Sequence, residues 1–355
     1  MPRVWEVPVH DSTRVRDARV AAEAAAARAG LDEDRAAGCA LVATELATNL
    51  LKHGGGGLIL LDVVFRPEPH RADGAAPMVQ IVAIDHGPGV RDVAGALRDG
   101  FSTTSSLGAG LGTCRRVADD FDLHSTVGRG TIALARLGSR PVRRTAPASP
   151  VPGVRAGGVN VPFAGAEFSG DAWAWVRAGD LTTLMLADGL GHGPAAARAS
   201  SAAVEQLYRA PELPPAQLLR RLEGALRDTR GAAVAVAQLD LAAGRLLFSG
   251  IGNIGARLRT GADWQPLLSR PGIVGAHRAA RLPQHEVDWG DDRLLVLHSD
   301  GLPSRWSPGP AAHSPSLDPA VIAAVIVRDA SSPARPVRDD TTVAVLSPSP
   351  PDRLP

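Results

Sequence analysis

At 355 residues, with 45% hydrophobic residues and a formal net charge of +1, the chain is long enough for two ordinary domains and carries no charge excess that would draw it to nucleic acid or a membrane surface. Its two cysteines, Cys39 and Cys114, stand far apart with no CxxC or histidine spacing, which argues against a disulfide framework and a zinc site. No signal segment opens the chain and no apolar run nears the roughly 18 residues of a membrane span, so a cytoplasmic protein is expected.

A short strand-like start, VWEVPVH, leads into an Ala-rich helix over Thr13 to Arg28 that stops at Gly30. A second helix is expected from Glu33 to His53, capped by Asp32 and ended by the run Gly54-Gly55-Gly56-Gly57. Glu45 and Asn49 are four apart on it, with Lys52 and His53 one turn further, so all would lie near one face. Such a stripe is either an ordinary solvated face or a site. Lys52 is the single lysine among 38 basic residues: a required ammonium, or a chance survivor in a composition that otherwise uses arginine.

Strands over Leu58 to Phe65 and Val79 to Ile84 follow, joined by a Pro-rich loop, and the second delivers Asp85 into DHGPG. Asp99 to Gly112 is polar and glycine-rich and opens a helix over Thr113 to Asp119; Gly128-Arg129-Gly130-Thr131 precedes a last strand. A glycine-rich loop running into a helix N-terminus offers backbone N–H groups to phosphate. From Gly138 to Pro152 the text is rich in Pro, Arg and Ala without apolar periodicity, which reads as an extended linker.

Beyond the linker, four acids stand at strand margins. Asp171 sits in FSGDAW, Asp188 after the apolar run Leu181 to Ala187, Asp300 after Leu294 to Leu297, and Asp339 before TTVAVL. Each alone is ordinary turn chemistry, since Asp-Gly is a common turn dipeptide. As a set they need a cation to offset their repulsion, and oxygen ligands without His or Cys pairs favour Mg²⁺ or Mn²⁺. Two such ions roughly 3.5–4 Å apart can hold an attacking oxygen in line with a phosphoryl group, which is the chemistry of phosphomonoester hydrolysis.

Helices over Ala195 to Tyr208 and Ala216 to Thr229, then strands over Ala232 to Leu239, Leu246 to Ser249 and Ala256 to Leu258, suit a sheet packed on a sheet with helices outside. Trp173 and Trp175 would share one sheet face as core. Asn253, in a glycine-rich loop, reads as a turn residue, and Pro303 to Pro319 as a surface loop.

The ELATNLLKH helix, the DHGPG turn, the GAGLG loop and GRGT, in this order, resemble the GHKL ATPases, and among them the anti-sigma-factor serine kinases and their switch-protein relatives. That resemblance implies that Asn49 coordinates Mg²⁺ on ATP, with Lys52 and His53 flanking the phosphates and Glu45 as general base. It further implies that Asp85 binds the adenine amino group, that Gly87 and Gly89 let the backbone pass the base, that Gly108, Gly110 and Gly112 form a lid, and that Thr131 supports the adenine contact.

The order GD, DGxGHG, SDG and DDxT resembles the SpoIIE-type branch of the metal-dependent, type 2C class of protein phosphatases. It implies a dinuclear Mn²⁺ or Mg²⁺ site in which Asp188 bridges both ions and acts in catalysis, the Gly189 carbonyl binds one ion, Asp300 and Asp339 complete the other, and Asp171 holds a metal-associated water. Asp340 is the weakest of these acids. Some relatives carry a His directly after Asp-Gly as a general acid; here that place is Leu190 and the nearby His is His192, so the acid is unassigned.

The two resemblances imply an α+β protein: a GHKL α/β sandwich over 1–137 with helices on one face of a mixed sheet, a linker over 138–153, a type 2C-like α-β-β-α sandwich over 154–348, and a disordered tail over 349–355. They imply a partner-switching enzyme of stress-response type. It would dephosphorylate a serine on a STAS-domain anti-sigma-factor antagonist, and its ATP-binding domain is expected to phosphorylate the same class of protein. The alternative makes that first domain a nucleotide-sensing or partner-binding module without catalysis. An anti-sigma or sigma factor and a second copy of the chain are further candidate partners.

Overall fold

The computed structural model describes residues 3–66, 76–97, 110–139, 153–276, 282–303, 306–307, 309, 314, 316–330 and 339–349. The chain divides into two compact units, one built from Val4–Arg66 and Ala76–Arg144, the other mainly from Thr145–Pro355. Gly108, most of the expected lid, the linker tract 140–152, much of the Pro303 to Pro319 loop and the tail beyond 349 lie outside the described residues.

The first unit runs β1 (Trp5–Val9), α1 (Thr13–Arg28), α2 (Glu33–Asn49), β2 (Gly57–Arg66), β3 (Ala76–Ile84), the single turn α3 (Val93–Ala96), α4 (Gly110–Val117), β4 (Asp120–Thr126) and β5 (Gly130–Gly138). Helix α1 buries an alanine stripe, Ala18, Ala21, Ala22, Ala25 and Ala26, so it can lie close to α2, which presents Cys39, Val42, Ala43 and Leu46. Asp32 caps α2 by accepting from the Arg35 N–H at 2.8 Å, satisfying one of the unpaired donors of the first turn. Both helices pack on alternate residues of the sheet, among them Val7, Ile59, Leu61, Val79, Ile81 and Ala135.

The strand order is β1-β2-β3-β5-β4, and every ladder in it is antiparallel. The expected mixed sheet is corrected here. The chain crosses over from β3 to β4 at the sheet's edge, but β5 turns back from β4 and inserts beside β3, so strands that run the same way are never neighbours. A second correction concerns α2, which does not continue to His53. After Asn49 the backbone widens into a π-helical turn, Leu50–Gly54, closed by Gly55 at φ +70. Lys52 and His53 therefore sit on the π-helical turn and not on α2 with Glu45 and Asn49.

The second unit runs β6 (Val154–Val161), β7 (Asp171–Ala178), β8 (Leu181–Gly189), α5 (Pro194–Arg209), α6 (Pro215–Ala225), β9 (Ala232–Asp240), β10 (Arg245–Ile251), β11 (Gly255–Thr260), β12 (Asp263–Pro266), β13 (His285–Asp288), β14 (Leu294–His298), α7 (Pro319–Ala330) and β15 (Thr341–Pro348). Two antiparallel sheets, ordered β13-β10-β9-β8-β7 and β12-β11-β14-β15-β6, pack face to face. Leu184, Leu186, Ala235 and Phe248 of one sheet meet Leu258, Leu295, Leu297 and Leu346 of the other; Trp173 and Trp175, expected as core, are only partly buried and pack against its margin. The other face of the first sheet, Met185, Ala187, Val234 and Val236, packs under Ala203 and Leu207 of α5 and Leu218 and Leu222 of α6. Helix α7 covers β6 and β15. The result is the expected α-β-β-α sandwich.

Candidate functional site

In the second unit the strand ladders do the gathering. The β7–β8 register sets Asp171 directly opposite Asp188. Asp300 follows β14 by two residues and Asp339 precedes β15 by two, and these strands are neighbours in the facing sheet. Burial pushes the Asp188 carboxyl up to about 7, and the charges of Asp300 and Asp339 add to the rise. Asp300 is raised by burial and by Asp339. Asp171 is fully buried and lies well above the usual carboxylate range, first through burial and then through Asp188. The sequence placed these acids at strand ends; the structure brings Asp171, Asp300 and Asp339 each into electrostatic range of Asp188.

Both oxygens of Asp171 are buried without a hydrogen-bond partner among the described residues. The Ser299 and Thr342 hydroxyls lie close enough to oppose the pKa rise without reaching bonding geometry. Buried unpaired carboxylate oxygens are costly, and a cation with oxygen preference would satisfy them. Among the described residues no three His, Cys, Asp or Glu side chains close on one point in metal-ligand geometry. Instead Asp188, Asp300 and Asp339 ring a cleft of about 530 Å³ whose other walls include Leu190, Gly191, Asn253 and Ile273.

Backbone fit explains the glycines. A Cβ on Gly189 would stand 2.1 Å from the Ala196 carbonyl oxygen, so only glycine lets β8 end against α5. The Gly189 N–H donates to the Gly170 carbonyl at 3.0 Å, tying the Asp188 and Asp171 segments together. Asp340 accepts from the N–H groups of Phe163 at 2.8 Å and Gly170 at 2.7 Å, so it anchors the approach to Asp171 rather than facing the cleft. Asn253 is corrected from a turn residue to a wall of the site: its Nδ2 donates to Asp300 Oδ2 at 2.6 Å. The only signal in the sequence was its place in GIGNIG, which is also the signature of an ordinary turn.

In the first unit, Asp85 is buried and its Oδ1 accepts from the N–H groups of Gly87 at 2.8 Å and Thr131 at 3.1 Å. The Asp85 N–H donates to the Thr131 carbonyl at 3.0 Å, joining the two segments by backbone as well. Gly89 has φ +72 and a Cβ there would meet the Thr126 carbonyl oxygen at 2.4 Å. Ser125, which the sequence reading passed over, links the turn: its Oγ accepts from the Val90 N–H at 2.7 Å and lies 3.0 Å from Thr131 Oγ1. A Cβ on Gly87 would stand 2.8 Å from Gly54 Cα, so the π-helical turn rests on the DHGPG loop.

Asn49 lies beside the start of α4, its Oδ1 3.7 Å from where a Gly110 Cβ would stand, and its buried Nδ2 has no partner among the described residues. Gly112 is buried within α4. Glu45 is half-buried and raises the pKa of the neighbouring Cys114 thiol, already pushed up to about 12 by burial. Lys52 and His53 are exposed on the π-helical turn. Asp85, Gly87, Gly89 and Thr131 thus form one group, and Asn49 with Gly110 another.

Residues 9–136 match the model of the histidine kinase-like ATPase domain, and residues 178–348 match that of Stage II sporulation protein E, SpoIIE. The chain carries a histidine kinase-like ATPase domain and a SpoIIE domain. The SpoIIE match contains Asp188, Gly189, Asp300 and Asp339 and begins seven residues after Asp171. The chain is 40% identical over 88 residues to the serine/threonine-protein kinase RsbT of Bacillus subtilis (strain 168), an alignment that takes in 25% of this chain and 61% of that protein. Among solved structures, one described as the bacterial stressosome, a modular system adapted to control secondary messenger signaling, is 25% identical with a TM-score of 0.50, over 54% of this chain and 98% of that one. The PP2C phosphatase domain of SpoIIE from Bacillus subtilis, with a fragment of its regulatory domain, is 15% identical with a TM-score of 0.49, over 81% of each chain. Among the described residues no helix of either domain is long and apolar enough to cross a membrane.

Proposed function

We propose that the SpoIIE domain hydrolyses phosphoserine on a STAS-domain antagonist of an anti-sigma factor, and that the ATPase domain binds ATP with Mg²⁺ and phosphorylates the same class of protein. The observation that carries the first half is the cleft ringed by Asp188, Asp300 and Asp339 with the unpartnered Asp171 oxygens behind it. All donors are oxygens, which fits two Mg²⁺ or Mn²⁺ ions held by Asp188, the Gly189 carbonyl, Asp300 and Asp339, with Asp171 in support. Bound there, the ions would lower the pKa of water and polarise the phosphoryl group.

The chain's own residues shape the rest of the reaction. Asn253 orients Asp300 through its amide, and Asp340 holds the segment that carries Asp171. Leu190 is exposed at the cleft where an acid would otherwise stand, and it shields the leaving group without protonating it. His298 is ruled out as donor, since its Nε2 accepts from Trp306 Nε1 at 3.0 Å and its Nδ1 lies 2.9 Å from the Ser299 carbonyl. The serine oxygen therefore takes its proton from solvent or from the exposed His192.

For the ATPase domain, the kinase reading is supported by the name of the RsbT relative and by Glu45, half-buried on the same helix as Asn49. The stressosome likeness supports a partner-switching setting. The alternative, a nucleotide-responsive module without transfer, is favoured by one observation: Lys52 and His53 lie exposed on the π-helical turn beyond the end of the helix that carries Glu45 and Asn49. The test of both is a single reaction. With the phosphatase silenced by Asp188→Asn, protein, ATP, Mg²⁺ and candidate STAS proteins are combined and read by intact mass. A serine phosphorylated here and cleared by wild-type protein supports the two-way switch. ATP binding without transfer supports the module, and failure of wild-type protein to clear an authentic phosphoserine substrate overturns the phosphatase.

A further inference from the structure

A cleft walled by carboxylates is built for cations, yet a phosphomonoester arrives as a dianion. Among the described residues lining the cleft, Asp188, Asp300 and Asp339 are charged and none is basic. One guanidinium stands beside that wall. Arg230 Nη1 lies 3.0 Å from the point where a Cβ on Gly191 would be, and Gly191, at φ +86, lines the cleft next to Leu190. The missing side chain at 191 leaves the notch through which Arg230 reaches the rim.

The backbone that carries Arg230 is fixed to the site's own strand. The Leu190 N–H donates to the Gly231 carbonyl at 3.0 Å, and the Ala232 and Val274 backbones exchange hydrogen bonds at 3.1 and 2.9 Å. Gly231, at φ +81, donates its N–H to Thr229 Oγ1 at 3.0 Å and is wedged against Ile273 and Val274. The backbone next to Arg230 is therefore tied to the Asp188–Leu190 segment, although 42 positions separate Arg230 from Asp188.

Its guanidinium is exposed and makes no hydrogen bond or ion pair with the described residues. An arginine at the mouth of an acidic cleft that pairs with none of the acids leaves their oxygens to cations and presents its own donors outward. A planar guanidinium offers two parallel N–H groups to two oxygens of one phosphate, a geometry that an ammonium cannot reproduce. We propose that Arg230 grips the non-bridging oxygens of the substrate's phosphoryl group from the rim at Gly191, and so is the phosphate-binding residue of the SpoIIE-domain cleft. The proposal rests on the phosphomonoesterase reading of that cleft and adds the residue that orients the anion in it.

The test compares wild type, Arg230→Ala and Arg230→Lys in the full chain by three measurements: calorimetric binding of inorganic phosphate in the presence of Mg²⁺, Mn²⁺ affinity, and steady-state hydrolysis of a phosphoserine peptide. The expected result is a tenfold or larger loss of phosphate affinity in Arg230→Ala, a matching rise in KM, a smaller fall in kcat, unchanged Mn²⁺ affinity, and partial recovery in Arg230→Lys. Phosphate affinity and KM equal to wild type would overturn the assignment. So would a parallel loss of Mn²⁺ affinity, which would mean that Arg230 supports the fold. If wild-type protein hydrolyses nothing but loses phosphate binding with Arg230→Ala, the anion site stands and the phosphatase reading falls. If it neither hydrolyses nor binds phosphate, both fall.

Discussion

Asp171 and Asp188 face each other across the antiparallel β7–β8 pair, and both oxygens of Asp171 are buried without a hydrogen-bond partner among the described residues. Two buried carboxylates so placed cannot both ionise without a counter-charge. In metal-free protein the folded state therefore keeps a proton on Asp188 up to about pH 7, whereas the unfolded chain loses it near pH 4. Because the folded pKa is raised, stability is full at low pH and is lost as pH rises through that window. Between pH 5.5 and 7.5 the loss is about 2 kcal/mol, lowering Tm by roughly 4–8 °C in EDTA. Mg²⁺ or Mn²⁺ at pH 7.5 should restore it; a Tm indifferent to both pH and metal would contradict the account.

Asn253 bears on metal affinity through Asp300. Removing its amide with Asn253→Ala frees Asp300 Oδ2 of its 2.6 Å hydrogen bond. An outer partner of this kind is worth on the order of 10–100-fold in metal affinity. Calorimetric Mn²⁺ titration of Asn253→Ala should show that weakening, and wild-type affinity would reduce Asn253 to the turn residue it resembles.

Asp340 answers to stability first. Asp340→Ala leaves the Phe163 and Gly170 N–H groups without their acceptor, at about 1–3 kcal/mol each. Denaturant unfolding should show a loss of roughly 2–6 kcal/mol, and Asp340→Asn, which keeps one accepting oxygen, a smaller one. Equal stability of the two variants and wild type would remove the anchoring role.

Asp85 tests the nucleotide site. Asp85→Asn keeps an oxygen for the Gly87 and Thr131 N–H groups but turns the other position from acceptor to donor. The adenine amino group would then meet a donor, costing about 1–3 kcal/mol, or on the order of tenfold or more in ATP affinity at unchanged Tm. Titration with a fluorescent ATP analogue decides it: undiminished affinity would place the base elsewhere.

Much of this architecture is written locally. A buried strand stopped by Asp188-Gly189 and the Asp32 cap each depend on residues a few positions apart, so pattern and propensity suffice to read them. The helix through Glu45 and Asn49 is legible for the same reason, whereas the α-β-β-α layering came from the resemblance of the motifs as a set. Where the reading went astray, a remote segment intervened. The π-helical turn follows from glycines that must press against Ile84 and Asp85, and the antiparallel sheet from β5 inserting beside β3.

By itself, the sequence determined which residues end which strands and which oxygen ligands are on offer. Tertiary structure alone decided that Asp171 faces Asp188, that Asn253 holds Asp300 across 47 positions, that Asp340 anchors Gly170 rather than lining the cleft, and that Arg230 reaches the rim through the notch at Gly191. The physical reason is register. Ladder hydrogen bonds and sheet-on-sheet packing set which distant residues meet, and that choice is made by the whole set of strands at once rather than by any stretch of chain.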